Sequence, residues 1–180
     1  MSEFEFLAVL LSIVFGLALT QLLSGTVRLF YETSIDDVRL LWSLTITLVL
    51  IVNWWGFFVW SDTEQWRFEL YTFLMAWAAI HYVLAATLYP KDFAARIEPE
   101  KELKVFFVVL LVFIVIDCVE AGLRDALFSP WYYLPTMASW ALAGVVALTV
   151  PRRVVQRLVA WYVFISLLVF AFVARRLFQI

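Results

Sequence analysis

Two carboxylates lie inside an apolar run of the sequence, where acidic side chains are rare. Asp117 and Glu120 fall within VFFVVLLVFIVIDCVEAGL, whereas the rest of the 15 acidic residues lie in tails, loops or the ends of apolar runs. A carboxylate near the middle of a membrane helix costs about 2.5–3.5 kcal/mol on insertion scales. Such a residue therefore needs either a polar partner on another helix or a role in moving protons or ions.

The spacing of Asp117, Glu120 and Arg124 places all three on one face of a helix. Glu120 and Arg124 are one turn apart, which predicts an ion pair near the helix end. Asp117 lies deeper and has no cation one turn away on its own helix, so a functional and a structural role are equally open. We expect its carboxylate to point into the protein, near Asn53 and not paired with Arg124.

Three further polar residues, Asn53, His81 and Gln21, lie well inside apolar runs. Depth is measured from the end of each helix on the predicted inner side of the membrane, at 1.5 Å per residue. Asn53 and Asp117 lie about 20 Å from that end, and His81 and Gln21 lie about 10–12 Å from it. The sequence therefore predicts two polar layers, Asn53 with Asp117 and Gln21 with His81, about 8–10 Å apart. Such a ladder is either a path for protons or ions or a set of hydrogen bonds between helices, which is the commoner finding.

Catalytic and metal-binding chemistry is not favoured by these residue types. One histidine and one cysteine exclude a bis-histidine haem site and a Cys-x-x-Cys redox pair. A metal held by Asp117, Glu120, His81 and Cys118 is conceivable, but Cys118 points about 100° away from Asp117 on a helix. We predict no enzyme activity, no cofactor and no metal site.

The elements that position these residues follow from the composition. The chain has 180 residues and is 65% apolar, compared with about 45–50% for a soluble domain. A soluble domain of this size cannot bury so much apolar surface, so the surrounding medium must be lipid, and a nucleic-acid binder is excluded. Backbone groups in lipid must pair within their own segment, which makes the spans helices.

Six stretches are apolar and long enough to cross about 30 Å of hydrocarbon. They predict an all-α bundle of six transmembrane helices in a single domain, 1–180. The spans lie at about 4–29, 40–60, 68–89, 105–123, 132–150 and 154–173. The first span is too long for the apolar region of a signal peptide and follows an acidic tail, so we interpret it as a permanent helix.

Lysine and arginine near the helix ends predict the orientation. Of the 13 basic residues, one side carries Arg28, Arg39, Lys91, Arg96, Lys101, Lys104, Arg152, Arg153 and Arg157. The other side carries Arg67, Arg124, Arg175 and Arg176. Because basic residues favour the cytoplasmic side, both termini are predicted to lie outside. The 91–104 connection is then cytoplasmic, and we predict that part of it is an amphipathic helix on the inner leaflet.

Small residues recur at every fourth position of the first span: Ala8, Ser12, Gly16, Thr20 and Ser24. They form one stripe of a helix, and small side chains allow another backbone to approach closely. We expect this stripe to pack against another helix of the same chain, with contact to a second copy as the alternative.

The run SIVFGLALTQLLSG, from Ser12 to Gly25 and followed by Arg28, resembles the first helix of a group of uncharacterised bacterial multi-span membrane proteins. The Asn53-Trp54-Trp55 cluster and the proline after the third span are also similar to that group, so the resemblance covers about half of the chain. It implies a multi-pass protein of the bacterial inner membrane, and it implies no activity.

Two functions are compatible with these patterns. One is a small transporter or channel for protons, ions or a small solute, with a polar path through Asp117, Asn53, His81, Gln21 and Glu120. The alternative is a non-catalytic membrane subunit that acts in assembly or signalling through helix contacts. The expected partners are the lipid bilayer and either a second copy or another membrane protein.

Overall fold

The computed structural model describes residues 2–31, 36–63, 65–89 and 99–177, with the side chains of 99–102 and 173–177 left out of the description. Within these ranges the chain forms α1 (Glu3–Leu29), α2 (Asp37–Phe57), a 3₁₀ turn (Phe58–Asp62), α3 (Phe68–Leu88), α4 (Pro99–Leu123), α5 (Tyr133–Thr149) and α6 (Arg153–Leu177). The predicted all-α bundle of six helices is confirmed. Five helices are long and apolar enough to cross a membrane, and α5 is a shorter apolar helix.

The largest difference from the predicted spans is at the start of α4, which begins at Pro99 rather than near residue 105. Proline is tolerated in the first turn of a helix, because the amide hydrogen that it lacks would have no partner there. The polar residues after Pro99 therefore extend the helix beyond its apolar part. The amphipathic helix predicted within 91–98 lies outside the described residues.

The helices contact one another in a closed cycle, in the order α1, α3, α4, α5, α6, α2, and α2 also touches α3. Of the five long helices, α2 and α4 are the most enclosed. In each of them 44% of the apolar 18-residue stretch is buried inside the protein, against 28% in α1 and α6. Trp42 of α2 packs on Phe106 and Phe107 of α4, with ring centroids 4.9 and 5.8 Å apart. Polar residues on α2 and α4 are therefore placed to meet inside the bundle.

The small-residue stripe of α1 faces outward, so the prediction that it packs within the chain is wrong. Ser12, Gly16, Thr20 and Ser24 are exposed and Ala8 is half-buried. The buried face consists mostly of larger residues: Leu7, Leu11, Phe15, Ala18, Leu22, Gly25 and Leu29. Large side chains make more dispersion contacts with the neighbouring helices than small ones do. The hydroxyls of Ser12 and Thr20 donate to carbonyls of their own helix, so exposure to lipid leaves neither of them unpaired.

A close approach between α1 and the end of α3 occurs at Gly25, where a Cβ atom would overlap the ring of Tyr89. Tyr89 is buried, and its hydroxyl lies 2.6 Å from Ser43 Oγ and 3.4 Å from Thr26 Oγ1. Its backbone carbonyl accepts a hydrogen bond from Gln21 Nε2 at 3.1 Å. Tyr89 therefore ties α1, α2 and α3 together at this end of the bundle.

Charged side chains join α2 to α6 at the same end. Arg153 pairs with Asp36 at 2.6 Å and with Asp37 at 2.9 Å, and Arg157 also pairs with Asp37. The buried Arg39 adds a contact of 3.2 Å between its Nε and Oδ2 of Asp36. Two of the basic residues counted for the orientation, Arg153 and Arg157, are thus also structural links between helices.

Candidate functional site

Asp117 lies at the centre of a buried polar group, the Asp117 cluster, which consists of Asp117, Asn53, Trp77, His81 and Tyr133. Asp117 is 8% exposed. Its Oδ1 accepts hydrogen bonds from Asn53 Nδ2 at 3.1 Å and from Trp77 Nε1 at 3.2 Å. Its Oδ2 accepts one from the Tyr133 hydroxyl at 2.9 Å. One carboxylate of α4 is therefore bonded to α2, α3 and α5 at once.

All three donors to Asp117 are neutral. None of the ion pairs among the described residues includes its carboxylate. The prediction that Asp117 points inward beside Asn53 and does not pair with Arg124 is confirmed. A charge-assisted hydrogen bond is stronger than one between neutral groups, so three of them offset part of the cost of burying the carboxylate.

Trp77 and Tyr133 are the members of the cluster that the sequence patterns did not indicate. Both lie in aromatic-rich apolar segments, where tryptophan and tyrosine are more often packing or interfacial residues. Their chemistry could have indicated the contact with Asp117. A buried indole N–H or phenol O–H needs a hydrogen-bond acceptor, and the carboxylate of Asp117 is such an acceptor well inside an apolar run.

His81 belongs to the Asp117 cluster and not to a second layer with Gln21, which corrects the prediction of two layers. Its Nε2 lies 2.9 Å from Asn53 Nδ2, whereas Gln21 donates to the carbonyl of Tyr89. Cα–Cβ bonds tilt toward the N-terminus of a helix. Since α2 and α3 run in opposite directions, the side chains of Asn53 and His81 lean toward each other and close the gap that counting along the axes predicts.

The hydrogen-bond network assigns the tautomer of His81. Its Nδ1 lies 2.8 Å from the carbonyl oxygen of Trp77, which can only accept, so Nδ1 carries a proton. The amide nitrogen of Asn53 can only donate, so Nε2 carries none. The imidazole is therefore neutral and bonded at both nitrogens. The rings of Phe15, Trp77 and Phe113 surround it with centroids 4.9, 5.1 and 5.0 Å away.

Glu120 forms a separate contact one turn along α4. Its Oε2 lies 2.6 Å from Arg124 Nη2, which confirms the predicted ion pair. Its Oε1 accepts a hydrogen bond from Trp60 Nε1 at 2.8 Å. Trp60 belongs to the 3₁₀ turn, so the buried Glu120 fastens the connection between α2 and α3 to α4. Among the described residues, no hydrogen bond or ion pair joins Glu120 to a member of the Asp117 cluster.

The Asp117 cluster consists of one carboxylate surrounded by neutral hydrogen-bonding side chains. Among the residues that the structure describes, no three His, Cys, Asp or Glu side chains are grouped as metal ligands. Comparisons with protein-family models, with curated proteins and with solved structures found no match. The function of the chain must therefore be inferred from its own residues.

Proposed function

We propose that this membrane protein is a small proton transporter in which Asp117 binds the transported proton. The observation that supports the proposal is a buried carboxylate that accepts hydrogen bonds from three neutral donors and has no cationic partner among the described residues. Ionisable residues within membrane helices commonly belong to proton or ion pathways. The resemblance of the first helix to bacterial multi-span membrane proteins supports a location in the bacterial inner membrane.

The donors around Asp117 favour a proton over a metal ion as the bound species. N–H and O–H hydrogens point at both carboxylate oxygens and repel a cation that approaches them. A hard cation such as Ca²⁺ also takes about six to eight oxygen ligands, and this cluster offers only a few. A proton needs one lone pair, which a carboxylate can supply while it keeps its other contacts.

Proton binding at Asp117 would change the strength of the hydrogen bonds that join four helices. Neutralising the carboxylate removes the charge that strengthens its bonds to Asn53 of α2, Trp77 of α3 and Tyr133 of α5. The affinity of α4 for its three neighbours therefore depends on the protonation state. A transporter needs such a coupling, because an ion can shift a conformational equilibrium only by binding the two states differently.

The Asp117→Asn variant tests the proposal. Purified protein in liposomes with a trapped pH-sensitive dye is expected to carry protons under an imposed voltage, and Asp117→Asn is expected to reduce the rate to that of empty liposomes. Glu69→Gln, which makes the same chemical change at an exposed residue of α3, is the matched control and is expected to keep the wild-type rate. Proton flux that persists in Asp117→Asn would contradict the proposal.

The second candidate function is a non-catalytic subunit that binds another membrane protein or a second copy. Two observations favour it: every side chain of the Asp117 cluster makes a hydrogen bond within the chain, and the small-residue stripe of α1 is exposed. Native mass spectrometry of gently extracted protein would detect a stable partner or a dimer. A fixed partner together with wild-type behaviour of Asp117→Asn would favour this function over transport.

The predicted orientation places Ser2 outside and Arg152 in the cytoplasm. In a Cys118→Ser background, Ser2→Cys is expected to react with a membrane-impermeant thiol reagent in intact cells. Arg152→Cys, which is exposed between α5 and α6, is expected to react only after the membrane is permeabilised. The opposite pattern would reverse the orientation. It would leave the proton proposal unchanged, because the Asp117 cluster does not depend on sidedness.

A further inference from the structure

We infer that the hydroxyl of Tyr133 is the positioning group that allows Asp117 to hold a proton on its Oδ2 atom. This inference rests on the proposed function only in treating Asp117 as a proton site. The geometry behind it is a hydroxyl with two acceptors in reach: Tyr133 Oη lies 2.9 Å from Oδ2 of Asp117 and 3.2 Å from the backbone carbonyl oxygen of the same residue.

The two carboxylate oxygens of Asp117 are not equivalent. Oδ1 accepts from both Asn53 and Trp77, whose N–H groups cannot become acceptors. A proton on Oδ1 would face these two donors and would have to displace one of them. Among the described residues, Oδ2 accepts only from the Tyr133 hydroxyl, which can donate and accept. The proton therefore binds at Oδ2.

Protonation at Oδ2 can proceed without displacement of a heavy atom. A new O–H bond forms at Oδ2 and donates to Tyr133 Oη, and the hydroxyl hydrogen of Tyr133 rotates toward the backbone carbonyl of Asp117. The proton comes from a hydronium ion of the solvent, whose O–H bond breaks and leaves water, so no covalent bond of the protein breaks and the cluster gains one proton. Asn53 and Trp77 continue to donate to Oδ1, which is now the carbonyl oxygen of the acid. The backbone carbonyl can accept this second bond because it has two lone pairs.

Other titratable or charged groups near Asp117 cannot take this role. His81 of α3 is separated from the carboxylate by the amide of Asn53, and both of its ring nitrogens are already bonded. On α4 itself, Glu120 and Arg124 pair with each other. Cys118 lies near the Tyr133 hydroxyl, but among the described residues its thiol makes no hydrogen bond to Oδ2 of Asp117. α2 contributes only neutral Asn53 to the carboxylate.

Infrared difference spectra between high and low pH test the inference on the intact protein. We expect an acid C=O band that is lost in Asp117→Asn, which assigns it to Asp117. In Tyr133→Phe the band is expected to move to higher frequency, because the acid O–H has lost its acceptor. Tyr132→Phe, which removes the neighbouring hydroxyl that has no hydrogen-bond partner, is expected to leave the band in place. An unshifted band in Tyr133→Phe would overturn the inference.

A measurement on the wild-type fold covers the case in which Tyr133→Phe does not fold. With isotope-labelled tyrosine, the C–O band of one tyrosine is expected to change as Asp117 is protonated, and the change is expected to vanish in Asp117→Asn. No such change would overturn the inference. If these bands respond as expected but proton flux does not depend on Asp117, the transport proposal fails and the assignment of Tyr133 stands.

Discussion

Replacement of Gly25 by alanine is expected to destabilise the bundle by about 3 kcal/mol, near the upper end of the usual cost of overpacking. The added Cβ would overlap the ring of Tyr89, which cannot move aside easily. The Tyr89 ring is buried, and its hydroxyl is hydrogen-bonded to Ser43 and Thr26. Either these bonds or the contact between α1 and α3 must be given up.

Gly16→Ala is the matched control for Gly25→Ala. Gly16 lies on the same helix, and a Cβ there would meet no atom within 4 Å. Because alanine is favoured over glycine in a helix by about 1 kcal/mol, this variant is expected to be as stable as the wild type or slightly more stable. Equilibrium unfolding in mixed micelles, followed by tryptophan fluorescence, measures the free energy of unfolding of both variants. Equal stability of the two variants would contradict the close approach at Gly25.

Arg124→Gln is expected to destabilise the protein by about 3–5 kcal/mol, because it leaves a buried charge without its partner. Glu120 is 2% exposed, and without Arg124 it retains only the hydrogen bond from Trp60. Glu120→Gln is expected to cost only about 1 kcal/mol, since the amide oxygen still accepts from Trp60. The Arg124 side chain is 19% exposed and can turn toward water or lipid headgroups.

The double variant Glu120→Gln with Arg124→Gln separates this explanation from a general need for Arg124. It contains no buried charge at this position, so it is expected to recover most of the stability that Arg124→Gln loses. The same assay measures the free energy of unfolding of Arg124→Gln, Glu120→Gln and the double variant. A double variant as unstable as Arg124→Gln would show that the guanidinium stabilises the fold through contacts other than Glu120.

Most of the contacts that could be predicted from the sequence lie within one helix. The exception is the contact of Asn53 with Asp117, which the matching depth of the two residues in the membrane predicts. The pair of Glu120 and Arg124 follows from a spacing of four residues, and the inward direction of Asp117 follows from the cost of exposing a carboxylate to lipid. Both depend on local geometry or on the solvent, and neither requires knowledge of which helices are neighbours.

The other contacts between helices depend on the order and direction of neighbouring helices and could not be predicted in this way. Counting residues gives a depth for His81 but not the direction in which its side chain leans, so its contact with Asn53 was missed. Trp77 and Asp117 are 40 residues apart, and only the packing of α3 on α4 brings them together. The exposed position of Gly16 likewise reflects which face of α1 its neighbours cover.

The ion pairs between α2 and α6 have a consequence for the order in which the protein assembles during synthesis. Arg153 and its partner Asp36 are separated by 117 residues, so a ribosome that adds about 5–20 residues per second adds Asp36 about 6–23 seconds before it adds Arg153. Until then the cycle of helices lacks the contacts that α6 makes with α2 and α5. Asp36 and Asp37 also lack their partners on α6. The second helix of the chain is thus inserted into the membrane before its partner, and the cycle of helix contacts is complete only when the sixth helix is inserted.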